Sequence, residues 1–354
     1  MRVTASLPLG NWTAVAPAAK AAEAAGFDGV VSSELAHDPF APLTLATMAT
    51  SNIELSTGIA VCFPRSPMIV AGQAWDLQAE SGGRFHLGLG TQVKGHNERR
   101  FSVPWTAPVP RMREYIDSLR AIWRAWETGE KLDFQGEHYR FTLMTPEFSP
   151  PKTGLPMVPV SVAAVGPDML RLAGRKCDGA RLHGFCTAKY IENVVMPKIE
   201  EGLARGGRKR ENLEISGGGF VATGATEDQV REKMDWVRYR VAFYGSTRTY
   251  WPVFEQHGLV DLGAKLHKHS TSGGWDKMAA EVSDDVVRLF AAVGTYRDLP
   301  KAIAERFGGA VDQLRLEIPE GADMGAIREV VQDVKRIPCA FKGYDTSWPT
   351  PKAA

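Results

Sequence analysis

Charge of one sign is the first thing this chain lacks: 42 Lys and Arg against 41 Asp and Glu leave a formal net charge of +1 over 354 residues. Without the basic excess that neutralises a phosphate backbone, nucleic acid is not an expected partner. Paired cysteines are missing too. Cys62, Cys177, Cys186 and Cys339 form no C-x-x-C and lie beside no suitably spaced histidines, so no metal site is expected and a reducing cytoplasm is. No apolar run approaches the roughly 20 residues of a membrane span, and the opening MRVTASLPLGNW is too short for a secretory signal. No internal repeat, low-complexity tract or linker divides the chain, so one domain over 1–354 is expected.

What is present is a soluble, globular composition, 44% hydrophobic and 23% charged, with short β-branched runs alternating with helical patterns. That alternation implies parallel strands joined by crossover helices. The candidate strands are 2–7, 28–33, 53–60, 85–90, 157–163, 179–184, 213–222 and 313–318. Between the fourth and fifth, Met112, Tyr115, Ile116, Leu119, Ile122, Trp123 and Trp126 recur in steps of three and four, which predicts a helix with one buried face. Ser66 before Pro67 reads as a helix start, Thr226 with Gln229 as a capping box, and Asp298 with Pro300 as a third start. Segments 91–108, 130–156 and 245–292 exceed a minimal repeat and read as insertions, or lids, at one end. The tail GYDTSWPTPKAA is expected to lie over the surface or a neighbouring subunit.

Eight parallel strands form either a closed barrel or an open doubly wound sheet. The dinucleotide fingerprint argues against the sheet: GLGTQV at 88–93 has Val93 where a third glycine or alanine belongs. The expected fold is therefore an α/β TIM (β/α)8 barrel with insertions at its C-terminal mouth, where strand ends carry the site.

Four strand ends hold suggestive residues. After the second, GVVSSELAHDPF places Glu34, His37 and Asp38 together, and an imidazole beside a carboxylate can exchange a proton near neutral pH. The plainer alternative is that Asp38 caps the next helix and His37 bonds a loop. The third ends at Gly58 before two prolines, where the backbone either takes an unusual conformation or forms an ordinary bulge. The fourth ends in GLGTQVKGH; Gly88 and Gly90 either admit a flat ring below Gln92 and His96 or pack against a neighbouring strand. The fifth ends in AAVGPDM, where amides at Val165 and Gly166 suit a phosphate or simply cap a helix. There is no Ser-His-Asp order, no carboxylate pair spaced for glycoside hydrolysis and no ligand cluster; HKH at 267–269 points its imidazoles apart. A site so poor in nucleophiles suits chemistry performed by an organic cofactor.

SSELAHDPF, STGIAVCFPRSPMIVAGQAWDLQAESGGRFHLGLGTQVKGH, FQGEHYRF and VAAVGPDMLRLAGRKCDG resemble the bacterial luciferase-like flavin and deazaflavin oxidoreductases, particularly the branch using coenzyme F420. The resemblance covers most of residues 1–225, returns at 290–318 and is weakest across 245–292. It implies hydride transfer between F420 and a small organic substrate, with His37 as the active-site histidine and Glu34 and Asp38 as catalytic neighbours. Gly58, Ile59 and Ala60 match a bulge, often with a non-prolyl cis peptide, behind the ring. Gln92 and His96 match the loop lining it, and Ala164, Val165 and Gly166 match the phosphate turn. The sixth strand's end, Leu182 to Gly184 with His183 between, faces the cofactor in this comparison. The loop after strand four has Gln92 and Val93 where the family's sugar-phosphate dehydrogenases keep an acid, which argues against a sugar phosphate. Trp105, Phe148, Tyr250 and Trp251 in the expected lids, with Phe63 and Tyr244 outside their bounds, either favour an apolar or ring-containing substrate or form the core of the insertions. An FMN-dependent monooxygenase and a non-catalytic deazaflavin-binding barrel are the alternatives. The family commonly pairs, so a homodimer is expected.

Overall fold

The computed structural model describes residues 1–348. Its barrel strands are β1 (Arg2–Ser6), β2 (Gly29–Ser32), β3 (Glu54–Thr57), β4 (Phe85–Gly90), β5 (Val160–Ala164), β6 (Gly179–Leu182), β7 (Glu214–Gly217) and β8 (Gln313–Leu316). They join in the order β3-β2-β1-β8-β7-β6-β5-β4, and β3 also pairs with β4, so the ring closes into the expected TIM barrel surrounded by helices. Among the described residues no helix is long and apolar enough to cross a membrane. The chain divides into two compact units.

The first unit comprises Thr4–Ala180, Ile199–Glu214 and the chain from Lys342 onward. Its strands are parallel and in register, Thr4 opposite Gly29, Gly29 opposite Glu54, Leu55 opposite Phe85 and Leu87 opposite Val160. All six residues of β4 are buried, as a parallel strand covered on both faces requires. Helix Pro108–Thr128 buries every apolar residue that its periodicity marked. Trp123 is fully buried and donates its indole N–H to Ala71 O at 3.1 Å; truncating an indole so placed costs about 3–5 kcal/mol. Helix Pro67–Glu80 begins as expected, with Ser66 Oγ accepting from Met68 N.

In segment 130–156, Phe134–Gln135 and Arg140–Phe141 form an antiparallel hairpin whose turn is latched by Glu114, which accepts from the amides of Glu137 and His138. The tail packs on its own chain as far as described: Tyr344 OH bonds His86 Nδ1 and Glu214 Oε2, each at 2.9 Å, and Trp348 Nε1 donates to Leu155 O. The rest of the expected surface tail, 349–354, lies outside the described residues.

The second unit comprises Met1–Val3, Arg181–Lys198 and Ile215–Phe341. The single strand expected over 213–222 is broken here. Gly217 and Gly218 both have φ of +83°, a region L side chains avoid, and a Cβ on Gly217 would lie 2.6 Å from Leu182 O. Beyond the break, Phe220–Gly224 pairs in parallel with Ala291–Thr295, a strand the sequence reading lacked. Helix Glu227–Gly245 follows the first of these and Leu299–Phe307 the second, each near its expected start. The expected lid 245–292 packs with helix Glu227–Gly245 around one shared core that includes Val237, Val241, Phe254, Leu266, Val287 and Phe290.

Candidate active site

At the end of β2 the backbone turns through Ser33–Pro39, and one cation organises the turn. Arg65 Nη1 donates to both Glu34 oxygens at 2.8 and 3.0 Å and to Val61 O at 2.8 Å, while Nη2 donates to Asp38 Oδ2 at 3.0 Å. Burial favours loss of the Arg65 proton, but Glu34, and after it Asp38, hold its pKa above the ordinary arginine value. Glu34 also accepts from Val61 N at 2.7 Å, and its side chain is 8% exposed. Asp38 Oδ1 accepts from Phe40 N and Ala41 N at 2.8 and 3.1 Å, capping helix Phe40–Ala49. The capping role, the plainer alternative for Asp38, is thus present in the structure.

His37 stands between these braces. Its ring is exposed and hydrogen-bonds no described residue. It lies against the loop after β1: a Cβ on Gly10, whose φ is +79°, would sit 2.8 Å from His37 Nε2. Glu34 and Asp38 therefore flank His37 in sequence and bond Arg65 instead of it.

The end of β3 is joined to this corner. The Gly58–Ile59 peptide is cis, Gly58 O accepts from Ser33 Oγ at 2.9 Å, and Ile59 O accepts from Glu34 N. The chain then resumes as a strand at Ala60–Val61, paired with β4. Ile59 fills the space above Gly90, where an added Cβ would lie 2.5 Å from Ile59 Cδ1. Gly90 thus makes room for the Ile59 side chain of the bulge, while Ala163 on β5 stands at ordinary contact distance, 3.6 Å.

After β4, Gln92 adopts φ of +57°, uncommon for a side chain with a Cβ, and its Oε1 accepts from Val93 N at 3.0 Å. Asn97, which the sequence reading missed, is fully buried and donates Nδ2 to Thr91 O and Val93 O at 2.9 and 3.1 Å, fixing that loop. His96 is exposed on the same short helix, and Arg100 Nη2 ties it to Leu35 O at 2.8 Å. After β5, Ala164 is buried while Val165 and Gly166 are exposed. Gly166 opens helix Pro167–Lys176 with no side-chain cap on the first-turn amides, and a Cβ there would meet nothing within 4 Å. Open space before an uncapped helix fits a phosphate group.

In the second unit, His183 follows β6. Its Nδ1 accepts from Phe185 N at 2.9 Å, leaving the proton on Nε2. Tyr244 meets the ring edge-on at 4.4 Å and Tyr250 lies 5.0 Å away. Burial, with the nearby Arg240 charge, pushes the His183 pKa down to about 4. Arg306, also missed, donates Nη2 to Cys186 O and Gly218 O, tying the loops after β6 and β7. His267 and His269 do point apart, to Ser246 O and Glu281 respectively. A cluster with metal-ligating groups occurs at Glu114, Glu137 and His138, but the Glu114 carboxylate there is occupied by backbone amides.

Comparison with known proteins places these observations. The family model for luciferase-like monooxygenases matches residues 2–313. An uncharacterised Mycobacterium tuberculosis protein is 44% identical over 91% of this chain and 94% of its own. A putative coenzyme F420-dependent oxidoreductase of the same organism is 29% identical, over 84% of this chain and 90% of its own. Among solved structures, the coenzyme F420 dependent tetrahydromethanopterin reductase from Methanopyrus kandleri superposes with a TM-score of 0.76 at 24% identity, covering 94% of this chain and 98% of that one.

Proposed function

The chain belongs to the luciferase-like monooxygenase family, and we propose that it works there as a coenzyme F420 (deazaflavin)-dependent oxidoreductase, moving a hydride between the cofactor and a small apolar organic substrate. The observation that carries this reading is the His37 imidazole, exposed and without an internal hydrogen bond on a loop braced on both sides by Arg65. The similarity to a relative named for F420 supports it.

A bound deazaflavin supplies a ring carbon that accepts or donates the hydride. This chain's own groups do the rest. His37 exchanges the proton that accompanies hydride transfer, at whichever ring nitrogen faces the substrate. Glu34 and Asp38 are positioning residues in this reading, since Arg65 holds both carboxylates. Gly58, Ile59, Ala60, Gln92 and His96 would flank the ring, and Ala164, Val165 and Gly166 would hold the phosphate on uncapped amides. His183 stays in the proposal as a neutral imidazole at the sixth strand's end.

Cys62, Cys177 and Cys186 are buried thiols outside any disulfide, consistent with a cytoplasmic location. A homodimer is part of the proposal: helix Phe40–Ala49 reads FAPLTLATMA, without a polar face, and leaves Met48 79% exposed. The family's own description favours a second reading, an FMN-dependent monooxygenase. Titrating the protein with oxidised F420 and with FMN, followed by visible absorbance and fluorescence, separates the two. The first reading expects F420 to bind and turnover to consume no oxygen; FMN binding with oxygen uptake replaces it with the second.

A further inference from the structure

A cleft of about 330 Å³ lies within the first unit between helices Pro108–Thr128 and Pro167–Lys176, and Arg113, Arg171, Arg175 and Arg205 line it with Asp168 and Leu172. One carboxylate against four guanidiniums is a local excess in a chain whose net charge is only +1. Arg171 is occupied, donating to Asp168 and to Glu201, each at 2.6 Å. Arg113, Arg175 and Arg205 have no ion pair or hydrogen bond with any described residue.

The fold draws these cations together. Helices Pro167–Lys176 and Met196–Gly206 touch backbone to backbone, since a Cβ on Gly202 would lie 2.2 Å from Arg171 O and one on Gly174 2.2 Å from Ile199 O. Glycines at the crossing bring Arg205 beside the helix that carries Arg171 and Arg175. Like charges gathered around one cleft repel, and an anion between them turns that repulsion into attraction. The unpaired charges are also spread out, Arg113, Arg175 and Arg205 standing on three different helices. Cations spread over three helices suit a chain of carboxylates better than one compact anion. The cleft begins beside the proposed phosphate turn, because Asp168, on its wall, is two residues beyond Gly166.

We propose that this cleft binds an elongated polyanion, the run of carboxylates that extends beyond the phosphate of a deazaflavin coenzyme. The proposal rests on the cofactor reading above. The test is a fluorescence titration of the intact protein with the tail-bearing coenzyme and with the tail-less deazaflavin core, at low and high salt. Wild type is compared with the triple variant Arg113→Gln, Arg175→Gln, Arg205→Gln. Loss of three exposed charge contacts is expected to weaken the tail-bearing form on the order of tenfold at low salt, less at high salt, and the tail-less form by under about twofold. Equal weakening of both forms, or of neither, overturns the proposal. If wild type binds neither deazaflavin, the cofactor reading fails on its own account and calorimetry with free oligo-γ-glutamate decides: binding that the triple variant loses keeps the cleft as a polyanion site, and no binding overturns it.

Discussion

His37 and His183 both follow a barrel strand, and their surroundings are opposite. Around His37 the charged neighbours bond one another: Glu34 and Asp38 are tied to Arg65, and the imidazole is exposed and unbonded. Around His183 the neighbours are aromatic, the ring is pinned through Nδ1, and burial holds it neutral. Standing at a strand end therefore does not make a histidine a proton carrier. The first loop stiffens its backbone with ion pairs and leaves the imidazole available; the second stiffens the imidazole itself.

The comparison breaks most visibly at Arg65. In Arg65→Met the Glu34 carboxylate stays buried without its cation, and we expect a loss of about 3–4 kcal/mol, measured by urea unfolding. A loss below about 1 kcal/mol would mean that the brace is an exposed ion pair of little consequence.

His183 sharpens the other side. Its folded pKa, about 4, lies below the ordinary 6.5, so the unfolded chain binds more protons between those values. Its neutral form is accommodated fully above pH 6.5, and stability falls as the pH drops from about 6.5 toward 4, by up to roughly 3 kcal/mol. His183→Gln should flatten that part of the pH–stability curve; an unaltered slope would show that the imidazole is not desolvated.

Gly10→Ala comes third. Its φ of +79° and the contact with His37 Nε2 predict a destabilisation of about 1–2 kcal/mol and a displaced ring. The check is turnover: a fall well beyond that explained by lost folded protein indicates that the ring position matters, and unchanged turnover indicates that it does not.

Much of the barrel was legible because its signals are local. Each strand is a short apolar run, and Trp123 and its helical neighbours repeat within one element. The break at Gly217–Gly219 was hidden because a Gly-rich strand and a Gly-rich corner read alike until the carbonyl of Leu182 is seen against it. Ala291–Thr295 was missed because AAVGT carries little β propensity, and its only described ladder is with Phe220–Gly224, itself misplaced in the reading. The site splits the same way. The residues after β2 were readable as a group, but the roles of Glu34 and Asp38 depend on Arg65, some 30 positions away in FPRSP, where an arginine looks like any surface cation. Asn97 and Arg306 matter through backbone carbonyls, which leave no mark in the sequence.

The most direct measurement is on His37→Ala, with F420 binding followed by fluorescence and turnover by the loss or gain of deazaflavin absorbance. The account predicts unchanged stability, near-normal binding and turnover lower by about 10²–10⁴-fold. Turnover equal to wild type would contradict it.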